Sequence, residues 1–240
     1  MEEKTRYLDF LAKMGIGNAH PGGRALTEAI LIKFPISMGE KVLDVGCGTG
    51  ETSAYLVDKT TCDLTAIDLH PKMIEQAKAR AKQLGDPYQV MQANAEALPF
   101  SDGSFHRIFS ESVTAFTHIP KALKEYYRVL SPQGSITAIE MTTEQKLNPI
   151  EIEDIKSLYG VSQVLTEREW CEYFYKENFS VVTGYKEEDF FKSGQRLNYD
   201  VPLKFTSDLD QETLEIWIHH LEMMDKYRDI LSYRVYQVIK

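Results

Sequence analysis

The segment that most constrains this chain is Leu43-Asp-Val-Gly-Cys-Gly-Thr-Gly50, a glycine-rich turn between an apolar run, Lys41–Val45, and a helical pattern, Glu51–Lys59. Glycines there let the backbone approach a ligand with no Cβ in the way. The helix start behind them offers N–H groups that have no partner inside the helix. The motif is also the first beat of a rhythm. Asp63–Leu69, Tyr88–Gln92, Arg107–Ser110 and Ser135–Met141 read as further strands. Between them lie a strongly helical stretch, Met73–Leu84, and a helix opened by Pro120 that ends in Tyr-Tyr-Arg-Val-Leu. Short strands alternating with helices of this length predict βαβ units, a parallel sheet and right-handed crossovers.

The flanks follow other patterns. Tyr7, Leu8, Leu11 and Met14 recur at helical spacing, a glycine-containing link runs from Gly15 to Gly23, and a second apolar-periodic segment, Leu26–Ile32, is stopped by Pro35. Beyond Glu144, Thr166-Glu-Arg-Glu169 reads as a capping box that opens a helix through Tyr175. Phe179–Tyr185 reads as a strand, and Tyr233–Ile239 as a closing one. Between them Leu214, Trp217, Ile218, Leu221 and Met224 are expected to form one face of a long helix.

Composition narrows the function. With 43% hydrophobic and 26% charged residues over 240, the chain is of ordinary globular make-up. No run approaches the ~20 apolar residues that span a bilayer. The opening Met-Glu-Glu-Lys-Thr-Arg puts charge where a signal peptide needs an apolar core, so a cytoplasmic protein is expected. Lys and Arg number 27 against 36 Asp and Glu, a net charge of −9. Nucleic-acid binding draws most of its affinity from a basic face, so a small-molecule partner is the better expectation. Cys47, Cys62 and Cys171 have no metal-ligand spacing and read as reduced thiols. His219 and His220 are adjacent on a helix, about 100° apart, and share no ligand face; no metal site is expected.

The spacing of the glycines is informative. A dinucleotide fingerprint would place its third glycine at position 51, where this chain has Glu51. That carboxylate and Asp44 make the loop hostile to a pyrophosphate and tolerant of a cation, which argues against an NAD-dependent oxidoreductase. The loop occurs in order with Ala66–Lys78, Gln92–Phe105 and Leu123–Gly134. In that combination the chain resembles the class I S-adenosylmethionine-dependent methyltransferases, in the small-molecule branch that includes quinone-biosynthesis enzymes. The likeness covers residues 38–142.

The resemblance implies an α/β fold: a Rossmann-like, mostly parallel seven-stranded sheet with helices on both faces. It implies one domain over residues 1–240, with helical lid 1–37, cofactor-binding core 38–142, and C-terminal sheet and substrate region 143–240. It also implies S-adenosylmethionine as cofactor and S-adenosylhomocysteine as product. Asp44, Gly46, Cys47, Gly48 and Gly50 then form the cofactor loop. Asp68 takes the ribose hydroxyls, Leu69 and Met73 flank the adenine, and Asn94, Ala95 and Glu96 meet its edge. Ser110, Glu111 and Ser112 hold the methionine part at the sheet's switch point. His106 departs from the Asp common in the family and reads as a strand-end difference.

Methyl transfer by in-line displacement rests on positioning, and a general base is needed only for a protonated acceptor. His118, His20 and Tyr7 are the catalytic candidates, although His118 equally suits a helix cap. Gly23 and Arg24 belong to a lid loop that would close over the cofactor carboxylate. A cofactor-binding subunit without turnover is the alternative. The acceptor and the oligomeric state stay open.

Overall fold

A computed structural model describes residues 6–191 and 210–240. Its first half is the expected alternation: β1 Lys41–Val45, α3 Glu51–Lys59, β2 Asp63–Asp68, α4 Pro71–Gln83, β3 Gln89–Gln92, β4 Phe105–Glu111, α5 Ile119–Val129 and β5 Leu130–Thr143. Two helices, α1 Arg6–Met14 and α2 Gly23–Lys33, precede it. After it come α6 Pro149–Tyr159, α7 Glu167–Lys176, β6 Val181–Tyr185, α8 Gln211–Lys226 and β7 Leu231–Ile239.

The seven strands form one sheet in the order β3-β2-β1-β4-β5-β7-β6. The first five are parallel, and β7 enters antiparallel between β5 and β6. The chain runs outward from β1 to β3, then returns so that β4 lies beside β1, with Val45 opposite Ser110. That reversal opens a crevice at the C-terminal strand ends, the usual ligand position in such sheets.

Alternation along β1 feeds both faces, as a sheet covered on two sides requires. Leu43 and Val45 point into a core with Trp170, Phe174 and Tyr236, while Val42 packs on the other side with Leu26, Leu56 and Phe109. A third cluster joins Phe10, Leu11 and Met14 of α1 to Met73 of α4.

The structure differs from the sequence reading at one element. Helix α6 was not expected, yet its signal is present: the Asn148 side chain accepts from the Ile150 and Glu151 amides at 2.9 and 3.0 Å, and Glu151 accepts from the Asn148 amide at 2.8 Å. This is a capping box with Pro149 at the first helical position. Helix α8 buries a different row from its most apolar one. Leu214, Ile218, Leu221 and Met224 stay 43–49% exposed, while Thr213 and Met223 are buried and His220 turns inward. The row at positions 213, 220 and 223 has the same helical spacing, and burial chose it over the more apolar one.

Candidate active site

The glycine loop is held by its own backbone. The Cys47 amide donates to the Ile67 carbonyl at 2.9 Å, and the Gly50 amide donates to the Cys47 carbonyl at 2.8 Å. Gly46 has φ +69°, and a Cβ there would lie 2.2 Å from Val113 Cγ2. Only glycine therefore lets the β4–α5 loop sit against this turn. Gly17 plays the same part for the N-terminal link, since a Cβ there would lie 2.6 Å from Thr49 Oγ1. The link is packed down on the loop.

Three carboxylates gather around it. Asp68, at the end of β2, accepts from the Gly48 amide at 2.9 Å and from the His70 amide at 2.8 Å. Burial raises its pKa against those two bonds. Asp44 is 2% exposed and accepts from Ser53 Oγ at 2.5 Å. Burial first, then the charges of Glu111 and Asp68, push it up to about 7. Glu111, at the end of β4, accepts from Thr27 at 2.8 Å and Thr52 at 2.5 Å, and lies 3.5 Å from His20 Nε2. The lid loop and the strand end thus share one buried polar cluster. Burial first, then the charges of Asp44 and Asp68, push the Cys47 thiol well above its ordinary value.

These groups open into one cavity of about 1460 Å³. On one side it is lined by Asp44, Gly46, Cys47, Gly48, Asp68, Leu69 and Met73, joined by Asn94, Ala95, Glu96, Glu111 and Ser112. On the other, Tyr7, Tyr159, Trp217, His220, Leu221 and Met224 converge from α1, α6 and α8.

With that geometry in place, comparison with known proteins is decisive. A methyltransferase-domain family profile matches residues 42–134. The chain is 39% identical over 166 residues to the uncharacterized methyltransferase YodH of Bacillus subtilis, covering 69% of this chain and 71% of that protein. The chain belongs to the methyltransferases. It is also 36% identical over 112 residues to the malonyl-[acyl-carrier protein] O-methyltransferase of Enterobacter lignolyticus, covering 46% of this chain and 43% of that one. Its fold matches Haemonchus contortus phosphoethanolamine N-methyltransferase 2 in complex with S-adenosyl-L-methionine, with a TM-score of 0.77 at 19% identity. That superposition covers 99% of this chain and 56% of the other.

Three expected site residues of this methyltransferase do not line the cavity. Gly50 faces Ala77 and Tyr88 instead, where a Cβ would lie 3.2 Å from either. Ser110 is buried behind the strand end, with its Oγ 3.1 Å from Thr114 Oγ1. His118 is exposed and caps α5, accepting from the Lys121 amide at 3.4 Å. Arg24 reaches the rim, but its guanidinium is held by Glu28 at 3.0 Å and lies 4.9 Å from the Tyr55 ring centroid. Glu51 also needs revision. Its ion pair with Arg80 removes much of the repulsion expected from it, so the family match, rather than that charge, decides against a dinucleotide site.

Other residues carry partners that limit their roles. Asn94 Oδ1 accepts from the Glu96 amide at 2.8 Å, which leaves one lone pair and the amide group free to meet a ligand. Glu96 in turn accepts from the His118 amide at 2.8 Å. His106 Nδ1 accepts from the Lys41 amide at 2.9 Å and ties two strand starts together.

Several lining groups escaped the sequence reading. Glu140, fully buried on β5, accepts from the amides of Thr114 at 3.0 Å and Ala115 at 3.3 Å, and burial pushes it up to about 7. Thr49 Oγ1 is buried in the cavity wall with no hydrogen-bond partner among the described residues. Tyr159 and His220 are separated by 61 residues and meet at 3.0 Å. No local pattern links them; only the capping box before α6 would have drawn attention to that segment.

Among the described residues no helix is long and apolar enough to cross a membrane. The three cysteines are free.

Proposed function

We propose that this enzyme moves a methyl group from S-adenosylmethionine to a small-molecule acceptor by in-line displacement, with the cofactor held at the C-terminal ends of β1, β2 and β4. The observation that carries this reading is the cradle at Gly46 and Gly48, backed by Asp68 and opening into a cavity large enough for cofactor and acceptor together. The unpartnered Thr49 hydroxyl and the three strand-end carboxylates fit a polar, cationic guest.

In this reading Asp68 accepts from the ribose hydroxyls with the lone pairs its two backbone donors leave free. Leu69 and Met73 flank the adenine, and Asn94 meets its edge. Glu111 and Ser112 face the methionine part, with His20 and Thr27 closing it from the lid side. Ser112 stands at φ +57°, a conformation that holds its side chain at the turn out of β4. When bound, the cofactor supplies a methyl group on a positively charged sulfur, already activated for displacement. The acidic lining favours that charge, and the chain's remaining work is to align the acceptor and exclude water. The lid, α1 and the Gly15–Gly23 link, is docked against α4 through Gln76 and His70, and its release admits the ligands.

Calorimetry tests the cofactor assignment. S-adenosylhomocysteine is expected to bind and NAD not to; comparable NAD affinity would sink the reading. Transfer of tritium from methyl-labelled cofactor to a panel of acceptors, measured alongside, separates turnover from binding alone.

A further inference from the structure

The acceptor side of the cavity contains a pair of residues that the cofactor has no use for. Tyr159 ends α6, and its hydroxyl lies 3.0 Å from Nδ1 of His220 on α8. Tyr159 is 4% exposed, yet both side chains border the cavity. The Tyr7 ring from α1 stands edge-on to Tyr159 at 4.9 Å, and Trp217 packs on His220 at 5.4 Å. The pair is tied to the cofactor side as well. Ser162, just past α6, donates from its amide and its hydroxyl to the Ala115 carbonyl at 2.7 and 2.9 Å. Ala115 belongs to the same loop as Val113, which touches the Gly46 cradle.

The charges around the cavity say in what form an acceptor enters. Each Lys or Arg that lines it already holds a carboxylate: Arg24 with Glu28, Lys186 with Glu144, Arg228 with Asp225, and Arg234 with Glu144 and Glu167. The carboxyl groups of Asp44, Asp68, Glu111 and Glu140 line it as well, and none of them can draw in an anion. An anionic acceptor finds no free cation among the described residues, so the acceptor enters neutral and protonated. Its proton must then leave inside the site. Burial keeps the imidazole of His220 neutral by lowering its pKa, and keeps the Tyr159 phenol protonated by raising its own.

We propose that Tyr159 and His220 form a proton relay for an acceptor that carries a neutral hydroxyl on an aromatic body, a shape suited to walls made of Tyr7, Trp217, Leu221 and Met224. The acceptor hydroxyl gives its proton to the Tyr159 oxygen while the Tyr159 hydroxyl passes its own to His220 Nδ1. The freed electron pair forms the new oxygen–carbon bond as the carbon–sulfur bond breaks and its pair stays on sulfur. One positive charge thus leaves the sulfur and one arrives on the imidazole, which later returns the proton to water. Tyr159 is the residue that touches the acceptor; His220 acts through it.

This proposal rests on the methyltransferase reading, and the test keeps the two apart. Calorimetry with S-adenosylhomocysteine is run first on the parent, Tyr159→Phe and His220→Asn. Equal affinities are expected in all three and show the cofactor side intact; a parent that does not bind removes the function itself, and the relay with it. Phenol is then titrated into the homocysteine complex, where Tyr159→Phe is expected to weaken binding roughly threefold to tenfold, the loss of one hydrogen bond. Finally, turnover is compared between phenol and aniline at a pH where both are neutral. His220→Asn is expected to cut phenol kcat by about 10²–10³-fold and aniline kcat less than about threefold, since the aniline lone pair attacks before any proton is lost. A purely structural pair would lower both alike. Equal losses, unchanged phenol affinity in Tyr159→Phe, or a parent that binds the homocysteine but does not methylate phenol would each overturn the relay.

Discussion

The two walls of the cavity are built by different means. The wall at the ends of β1, β2 and β4 is made of backbone: a positive-φ glycine against Val113, an amide held by Asp68, a strand end tied to a loop. The opposite wall is made of side chains that α1, α6 and α8 bring from three distant segments. A backbone wall tolerates little change at any position, because its shape depends on conformation and close approach. A side-chain wall tolerates exchange of one apolar group for another and is the place where related enzymes can differ in acceptor. The contrast can be broken or sharpened by measurement.

The largest effect is expected at Gly46. An alanine there takes a left-handed conformation that costs about 1–2 kcal/mol and drives its Cβ into Val113, 2.2 Å away. Gly46→Ala is expected to lower the melting temperature and weaken S-adenosylhomocysteine binding by about 100-fold or more, as the backbone shift displaces the cradle. Val113→Ala in the same chain should restore part of the affinity by opening the space, though not the strain. A single substitution without effect would mean that the wall is softer than its backbone contacts imply.

Next comes Asp68. Hydrogen bonds to a charged acceptor are worth about 1.5–3 kcal/mol each, so Asp68→Ala should raise the dissociation constant by one to three decades. The structure adds a reason for the upper part of that range, because the same carboxylate holds the Gly48 and His70 amides. Asp63, at the start of the same strand and exposed, is the control. Should Asp68→Ala bind like the parent, the assignments of Leu69, Met73 and Asn94 fall as well.

These two residues also explain why one wall was legible in the sequence and the other was not. Gly46 and Asp68 act through strand, turn and helix starts that lie within one βαβ unit, so spacing along the chain carries their geometry. The five parallel strands were legible for the same reason, since each is a short run bounded by a helix or turn signal. Tyr159 and His220 meet only because α6 and α8 pack together, and nothing near either residue announces the other. Helix α8 shows the limit most plainly. Its most apolar row, Leu214 to Met224, stays half-exposed, with Leu221 and Met224 on the cavity border. Periodicity identifies a helix, while the partner that covers it is set by the whole fold. Single positions in the core went astray for smaller reasons: Gly50 serves the packing of Ala77 and Tyr88, and Ser110 sits one residue too deep.

A pH dependence distinguishes the walls by charge. Asp44 is pushed up to about 7 in the folded protein, above the ordinary carboxylate value of roughly 4. A raised folded pKa gives stability that is full below the unfolded value and is lost as pH rises through about 7. The ligand-free protein should therefore lose melting temperature between about pH 4 and about pH 7 on account of this group. A cationic guest beside the carboxylate reverses the trend. S-adenosylmethionine is expected to gain affinity over neutral S-adenosylhomocysteine as pH rises through that range, by no more than about tenfold per pH unit for one proton. Asp44→Asn should flatten the ratio. A flat ratio in the parent would mean that the positive sulfur lies out of reach of Asp44.

The smallest effects are expected at Arg24 and His118, two charged or titratable residues that the sequence placed near the chemistry. Arg24 reaches the cavity rim, but its guanidinium pairs with Glu28 and lies over Tyr55, and an exposed pair of this kind contributes little. Arg24→Ala should leave S-adenosylhomocysteine affinity within about twofold of the parent, which is under roughly 0.5 kcal/mol. His118 faces solvent and accepts a long bond from the Lys121 amide at the start of α5. Its replacement by alanine should cost about 0.5 kcal/mol of stability, the low end for a helix cap, and leave cofactor affinity and turnover unchanged. Denaturant melts and calorimetry on both variants check this. A tenfold loss of affinity in Arg24→Ala would show that the guanidinium swings from Glu28 to the ligand on binding, so that the rim moves while the backbone wall behind it stays in place.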